Sequence, residues 1–122
     1  LEYQAVEYAR ELSSSAGIAA MENLLAAGVK PDAVFAVSDT LAAGAMRAIS
    51  NAGLQIPQDI AVVGFDGTEL AEMVSPQLST IEQPSRDIGR KAVGLLLNKI
   101  DNPDAPTERV MMDWRYIARA SS

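Results

Sequence analysis

The sequence predicts a single α/β domain built on parallel strands, and three observations carry that expectation. Two short unbroken apolar runs, Ala33 to Val37 and Ile60 to Phe65, have the length and flanking turns of strands covered on both faces. Between them Leu41, Ala45, Ala48, Ile49 and Ala52 recur at helical spacing until Gly53. Strand, helix and strand within about 35 residues form a βαβ unit, whose right-handed crossover sets two strands parallel with the helix on one sheet face.

The remaining elements follow in order. The run to about Leu12 contains Tyr3, Ala5, Val6 and Tyr8 in loose alternation that suits a strand as well as a helix start, and it is read as a strand. Ser13, Ser14 and Ser15 supply capping hydroxyls for an amphipathic helix through Ile18, Met21, Leu24 and Leu25, ended by Gly28. Pro31-Asp32 turns the chain into the first apolar run, and Pro57-Gln58-Asp59 turns it into the second. Glu69 to Val74 fits one helical turn, stopped by Ser75-Pro76, and Leu78 to Glu82 alternates as a short strand or extended connector. Ser85 reads as the cap of the longest helix, with Asp87 at its positive end and Ile88, Ala92, Val93, Leu96, Leu97 and Ile100 as its stripe. Gly89 and Gly94 inside that helix suggest close packing against another element. Thr107 to Asp113 reads as a last strand, followed by Trp114, Tyr116 and a polar tail.

Composition narrows the chemistry. The chain has 122 residues, 48% hydrophobic and 21% charged, which is the make-up of one globular domain with one core. It contains no histidine and no cysteine, so a Ser-His-Asp triad, a thiol nucleophile, a thiolate or imidazole metal site and a disulfide framework cannot be built from it. No metal site and no cofactor is expected, and no catalytic residue stands out. A formal charge of -6, with ten Lys and Arg that do not cluster, argues against nucleic acid as this segment's own partner. No stretch reaches membrane-spanning length and no signal peptide is visible. The chain opens on Leu1, and it reads as a piece of a longer gene product.

Two strand ends carry an acid, Ser38-Asp39 after the first run and Phe65-Asp66 after the second. In an open parallel sheet, ligands bind beyond the carboxyl ends of the strands, so both acids are expected at one mouth. There a carboxylate can accept several hydroxyl donors from a sugar. Asp39 can also cap the helix that starts near Leu41, and the two roles do not exclude each other. Asp66-Gly67 can equally initiate a turn. A Mg²⁺-dependent phosphoryl-accepting receiver domain would use similar acids, but Lys30, Lys91 and Lys99 sit in a turn and a helix, not on a late strand. Gln83, between a strand and a helix start, can reach the same mouth or sit in water.

The segments PDAVFAVSDT, IPQDIAVVGFD, PQLSTIEQ and GRKAVGLL, between Pro31 and Leu96, closely resemble the effector-binding domain of the lactose-repressor (LacI/GalR) family of bacterial transcription regulators. Weaker likeness extends from about Ser13 to the closing strand. The resemblance implies a three-layer α/β/α, type I periplasmic-binding-protein-like fold, of which this chain is the C-terminal half. Residues of about 1–80 and 107–118 would belong to the second subdomain, and the helix of about 85–101 to the first. It also implies a small, sugar-like effector, a homodimer, a cytoplasmic location with no membrane partner, no enzymatic activity, and DNA contact through an upstream headpiece absent from this chain. A transporter's periplasmic sugar-binding protein of the same fold is the alternative.

Residue by residue, the resemblance places Asp66 on the family's strand-end acid that bonds the effector. Asp39 falls on the family's Asp, while Ser38 stands where the family usually has Asn, which alters that contact. Gln83 matches a hinge-proximal Gln, and Leu12 stands where some members stack an aromatic on the ligand. An Arg that clamps the effector would lie before Leu1. Leu41, Arg47, Met73 and Val74 fall in regions that form the dimer seam.

Overall fold

The computed structural model describes residues 5–122. Eight elements follow in chain order: α1 (Ser14–Ala26), β1 (Ala33–Phe35), α2 (Asp39–Asn51), β2 (Ala61–Asp66), α3 (Leu70–Met73), β3 (Ser79–Glu82), α4 (Ser85–Asp101) and β4 (Arg115–Ile117). The strands form one sheet in the order β1-β2-β3-β4, parallel between β1, β2 and β3 and antiparallel between β3 and β4. The expected βαβ unit is present, with Val34 opposite Val62 in the register.

Local chemistry sets the helix starts. The Ser13 hydroxyl accepts a hydrogen bond from the Ala16 amide at 3.1 Å, and the Ser38 hydroxyl accepts one from Leu41 at 3.2 Å. The cap of α2 is therefore Ser38, and Asp39, expected as the cap, is the first helical residue. Ser85 likewise opens α4 from inside and makes no capping bond.

The core lies on one face of the sheet. Period two sends Val62 and Gly64 of β2 toward α2, where Met21, Ala42, Ala45, Met46, Ile49, Ile60, Ala71 and Leu78 close the cluster. Burying each large side chain of this set contributes about 1.5 to 3 kcal/mol. α1 stacks on α2 through Gly17 and Gly44, whose missing side chains let each helix approach the other's backbone. The opposite sheet face carries Phe35, Val37 and Tyr116, all exposed, with Phe35 and Phe65 edge to face at 6.3 Å. The described residues thus supply two layers, and β1 is covered on one face, not both as its unbroken apolar run suggested.

Other expectations change as well. Tyr3 and the rest of residues 1–4 lie outside the described residues, and residues 5–9 of the same run form no strand or helix. Thr107 to Asp113 forms neither strand nor helix. The last strand is Arg115–Ile117, selected by its ladder to β3 and by Arg115, whose guanidinium grips the Glu82 carboxylate opposite it. No atom stands within 4 Å of where a Cβ on Gly89 or Gly94 would lie among the described residues, and none of α4 is buried. The polar tail is a structural plug: buried Ser121 donates its hydroxyl to the Val62 carbonyl at 2.6 Å and accepts the Ser79 amide at 2.8 Å. Arg119 ties the same end to Leu78 and Glu72.

Candidate ligand site at the carboxyl edge of the sheet

Parallel pairing puts the ends of β1 and β2 on one edge, so the segments bearing Ser38-Asp39 and Asp66 do share a mouth. Their side chains have different surroundings. Asp39 is 0% exposed, and its carboxylate accepts from the Thr68 amide at 2.6 Å, the Thr68 hydroxyl at 2.9 Å and the Thr80 hydroxyl at 2.5 Å. Gly64 on β2 leaves the space that this carboxylate fills. With both oxygens bonded internally, Asp39 offers a ligand no surface, which corrects its assignment to direct contact. Ser38 is also buried, with its hydroxyl bonded to α2.

Asp66 is partly exposed and ends β2 at φ 106, a conformation rare for a residue with a side chain. Gly67 follows at φ 72. Strained backbone of this kind costs roughly 1 to 3 kcal/mol and persists where its surroundings overdetermine it, often at ligand sites. One Asp66 oxygen, Oδ1, accepts from the Gln83 side-chain amide at 3.0 Å, and Oδ2 has no hydrogen-bond partner among the described residues.

Gln83 joins that carboxylate to a concavity of about 300 Å³ lined by Phe65, Ile81, Gln83, Pro84, Ile88, Met112 and Trp114. Its walls are apolar and aromatic, its polar group is an amide, and a carboxylate stands beside that amide. This is the make-up of a site for a small ligand with hydroxyls at its edge and a hydrophobic face. No group of three or more acidic, histidine or cysteine side chains able to hold a metal occurs among the described residues. No helix among them is long and apolar enough to cross a membrane.

The structure therefore brings Asp66 and Gln83 together, as a bonded pair. It leaves Leu12 exposed ahead of α1, outside the lining of the concavity. Of the residues expected at a dimer seam, Arg47 and Met73 are exposed, whereas Leu41 is buried under α1 and Val74 packs partly into the core. Trp114, to which the sequence alone assigns no role, has its aromatic ring exposed at the concavity. The signal that could have found it was its place two residues before Tyr116, just ahead of a strand that returns to the site's edge.

The model of a periplasmic binding protein-like domain matches residues 1–122. The ribose operon repressor of Haemophilus influenzae is 42% identical over 105 residues, which are 86% of this chain and 32% of that protein. The chain thus spans about a third of this curated relative. Among solved structures, a transcriptional regulator CelR-cellobiose complex superposes with a TM-score of 0.91 at 32% identity, covering 100% of this chain and 38% of that one. A lac repressor dimer bound to operator and the anti-inducer ONPF gives a TM-score of 0.81 at 33% identity, covering 90% and 38%.

Proposed function

Because the chain belongs to the periplasmic binding protein-like domain family, among the LacI-type regulators, we propose that it is the effector-sensing part of a bacterial transcription regulator, binding a small sugar without transforming it. The observation that carries this reading is the strained Asp66, bonded to Gln83 beside the Trp114 concavity. A free carboxylate oxygen accepts sugar hydroxyls, and the aromatic wall covers the ring's C–H face. The same-fold transporter protein is the weaker alternative, since the relatives above carry repressor names.

In this reading the intact protein carries the DNA-binding headpiece elsewhere, and α4 crosses to a facing subdomain. Effector contacts from both sides of the cleft favour one closure state, and only a difference in affinity between states can change the geometry presented to DNA. A homodimer formed through a surface that includes Arg47 and Met73 fits their exposure.

The test is calorimetry on the intact protein with ribose, lactose and cellobiose. Asp66→Ala is expected to weaken the binding sugar by roughly 1 to 3 kcal/mol, because its donors lose their acceptor. Unchanged affinity would remove Asp66 from the site, and no binding by any hydroxylated ligand would remove the sugar reading altogether.

A further inference from the structure

We infer that Asp39 and Thr80 are positioning residues for Asp66: together they hold the left-handed turn that aims its carboxylate at the ligand. The inference rests on the reading that Asp66 contacts the effector.

Asp39 is a fully buried carboxylate that touches no solvent. Taking such a group out of water is costly and is offset only by the hydrogen bonds it accepts, so which groups donate to it says what it holds in place. Its donors share one location. Thr68, which gives both its amide and its hydroxyl, follows the turn directly. Thr80 lies across the ladder on β3, where Gly64 is its register partner, and its hydroxyl donates to Asp39 Oδ1 while accepting the Gly67 amide at 3.3 Å. Asp66 and Gly67, at φ 106 and 72, are thus braced from the far side by Thr68 and from beneath by Thr80, both anchored on one carboxylate at the start of α2. On the ligand side, Gln83 fixes the Asp66 carboxylate itself. Without the brace, only the Gln83 bond among these opposes relaxation of Asp66 to an ordinary extended conformation.

The experiment uses the intact protein, with whichever of ribose, lactose or cellobiose binds it as probe. Thr80→Val keeps the shape and removes the hydroxyl; Asp39→Asn keeps the size and weakens the acceptor; Thr80→Ser keeps the hydroxyl. Thr80→Val and Asp39→Asn are each expected to weaken probe affinity about tenfold, and Thr80→Ser to restore it to within about twofold. In an Asp66→Ala background the Thr80→Val loss is expected to shrink below about twofold, since a residue that acts through Asp66 has nothing left to position. Amide exchange at Gly67 and Thr68 should accelerate in Thr80→Val while the α1 amides keep their protection.

A folded Thr80→Val protein with unchanged affinity, or a loss undiminished by Asp66→Ala, overturns the inference and leaves the site reading standing. If Asp66→Ala alone changes nothing, the site reading falls instead. The exchange measurement then decides the brace by itself, and unaltered exchange at Gly67 and Thr68 refutes it.

Discussion

Gly67 sits at φ 72 with the Glu82 backbone 2.6 Å from where a Cβ would stand, so a side chain there meets both a conformational and a steric penalty. Left-handed backbone costs an L-residue about 1 to 2 kcal/mol and overpacking about 1 to 3, so Gly67→Ala should lower stability by about 2 to 5 kcal/mol in urea unfolding. A loss below about 0.5 kcal/mol would mean that the turn opens freely, against the strain assigned to its neighbour Asp66. Ser121 makes a parallel case. Removing its hydroxyl orphans the buried Ser79 amide and takes the side-chain donor from the Val62 carbonyl, and Ser121→Ala is expected to cost about 2 to 4 kcal/mol in the same measurement. Neither role was legible in the sequence beyond the turn signal of Asp66-Gly67. The partners of Ser121 lie 42 and 59 residues away, and no local pattern marks a serine near a polar end as a plug. The site shows the same division: Asp66 and Gln83 stood out singly by their places at strand ends, whereas their bond across 17 residues, and the burial of Asp39, depend on tertiary placement.

Elements whose signals are local came through the sequence best. Ser13 caps α1 through a bond spanning three residues, and the βαβ period changes located β1, α2 and β2, with the cap of α2 one residue earlier, at Ser38, than the expected Asp39. The expected strand from Thr107 to Asp113 was misplaced because extended backbone becomes a strand only where a partner presents free ladder groups, and β3 pairs with residues 115–117. Close approach between α1 and α2 was missed as well: the packing that helical glycines suggest was read at Gly89 and Gly94, whereas within the described residues it occurs at Gly17 and Gly44. Its value can be measured. Gly44→Ala gains about 1 kcal/mol of helix propensity but drives a methyl into the Ser14 carbonyl, a backbone atom that cannot swing aside. Overpacking at roughly 1 to 3 kcal/mol wins, so a net loss is expected in thermal unfolding. A higher melting temperature would show that the helices are free to separate, and the packing described for Gly17 and Gly44 would not be a constraint.

At the scale of the molecule, one sheet face and the whole of α4 meet no core, although α4 carries Ile88, Val93, Leu96, Leu97 and Ile100 exposed along its 17 residues. A stripe of that kind on a helix with no buried residue gains nothing from folding by itself, and such patches mark surfaces that another unit covers. The proposal that α4 belongs to a facing subdomain supplies the cover, and Gly94 can report on it. With no atom within 4 Å of its would-be Cβ, Gly94→Ala should stabilise the 122-residue chain studied alone by up to about 1 kcal/mol, the propensity difference between the two residues. In the intact protein a facing element close enough to explain glycine in mid-helix would meet the added methyl, and the gain should vanish or turn into a loss of roughly 1 to 3 kcal/mol. Urea unfolding of both forms, with and without the substitution, measures the difference. An equal gain in both contexts would mean that α4 faces solvent in the intact protein as well, and its crossing to a second subdomain, together with the two-sided cleft that depends on it, would have to be abandoned.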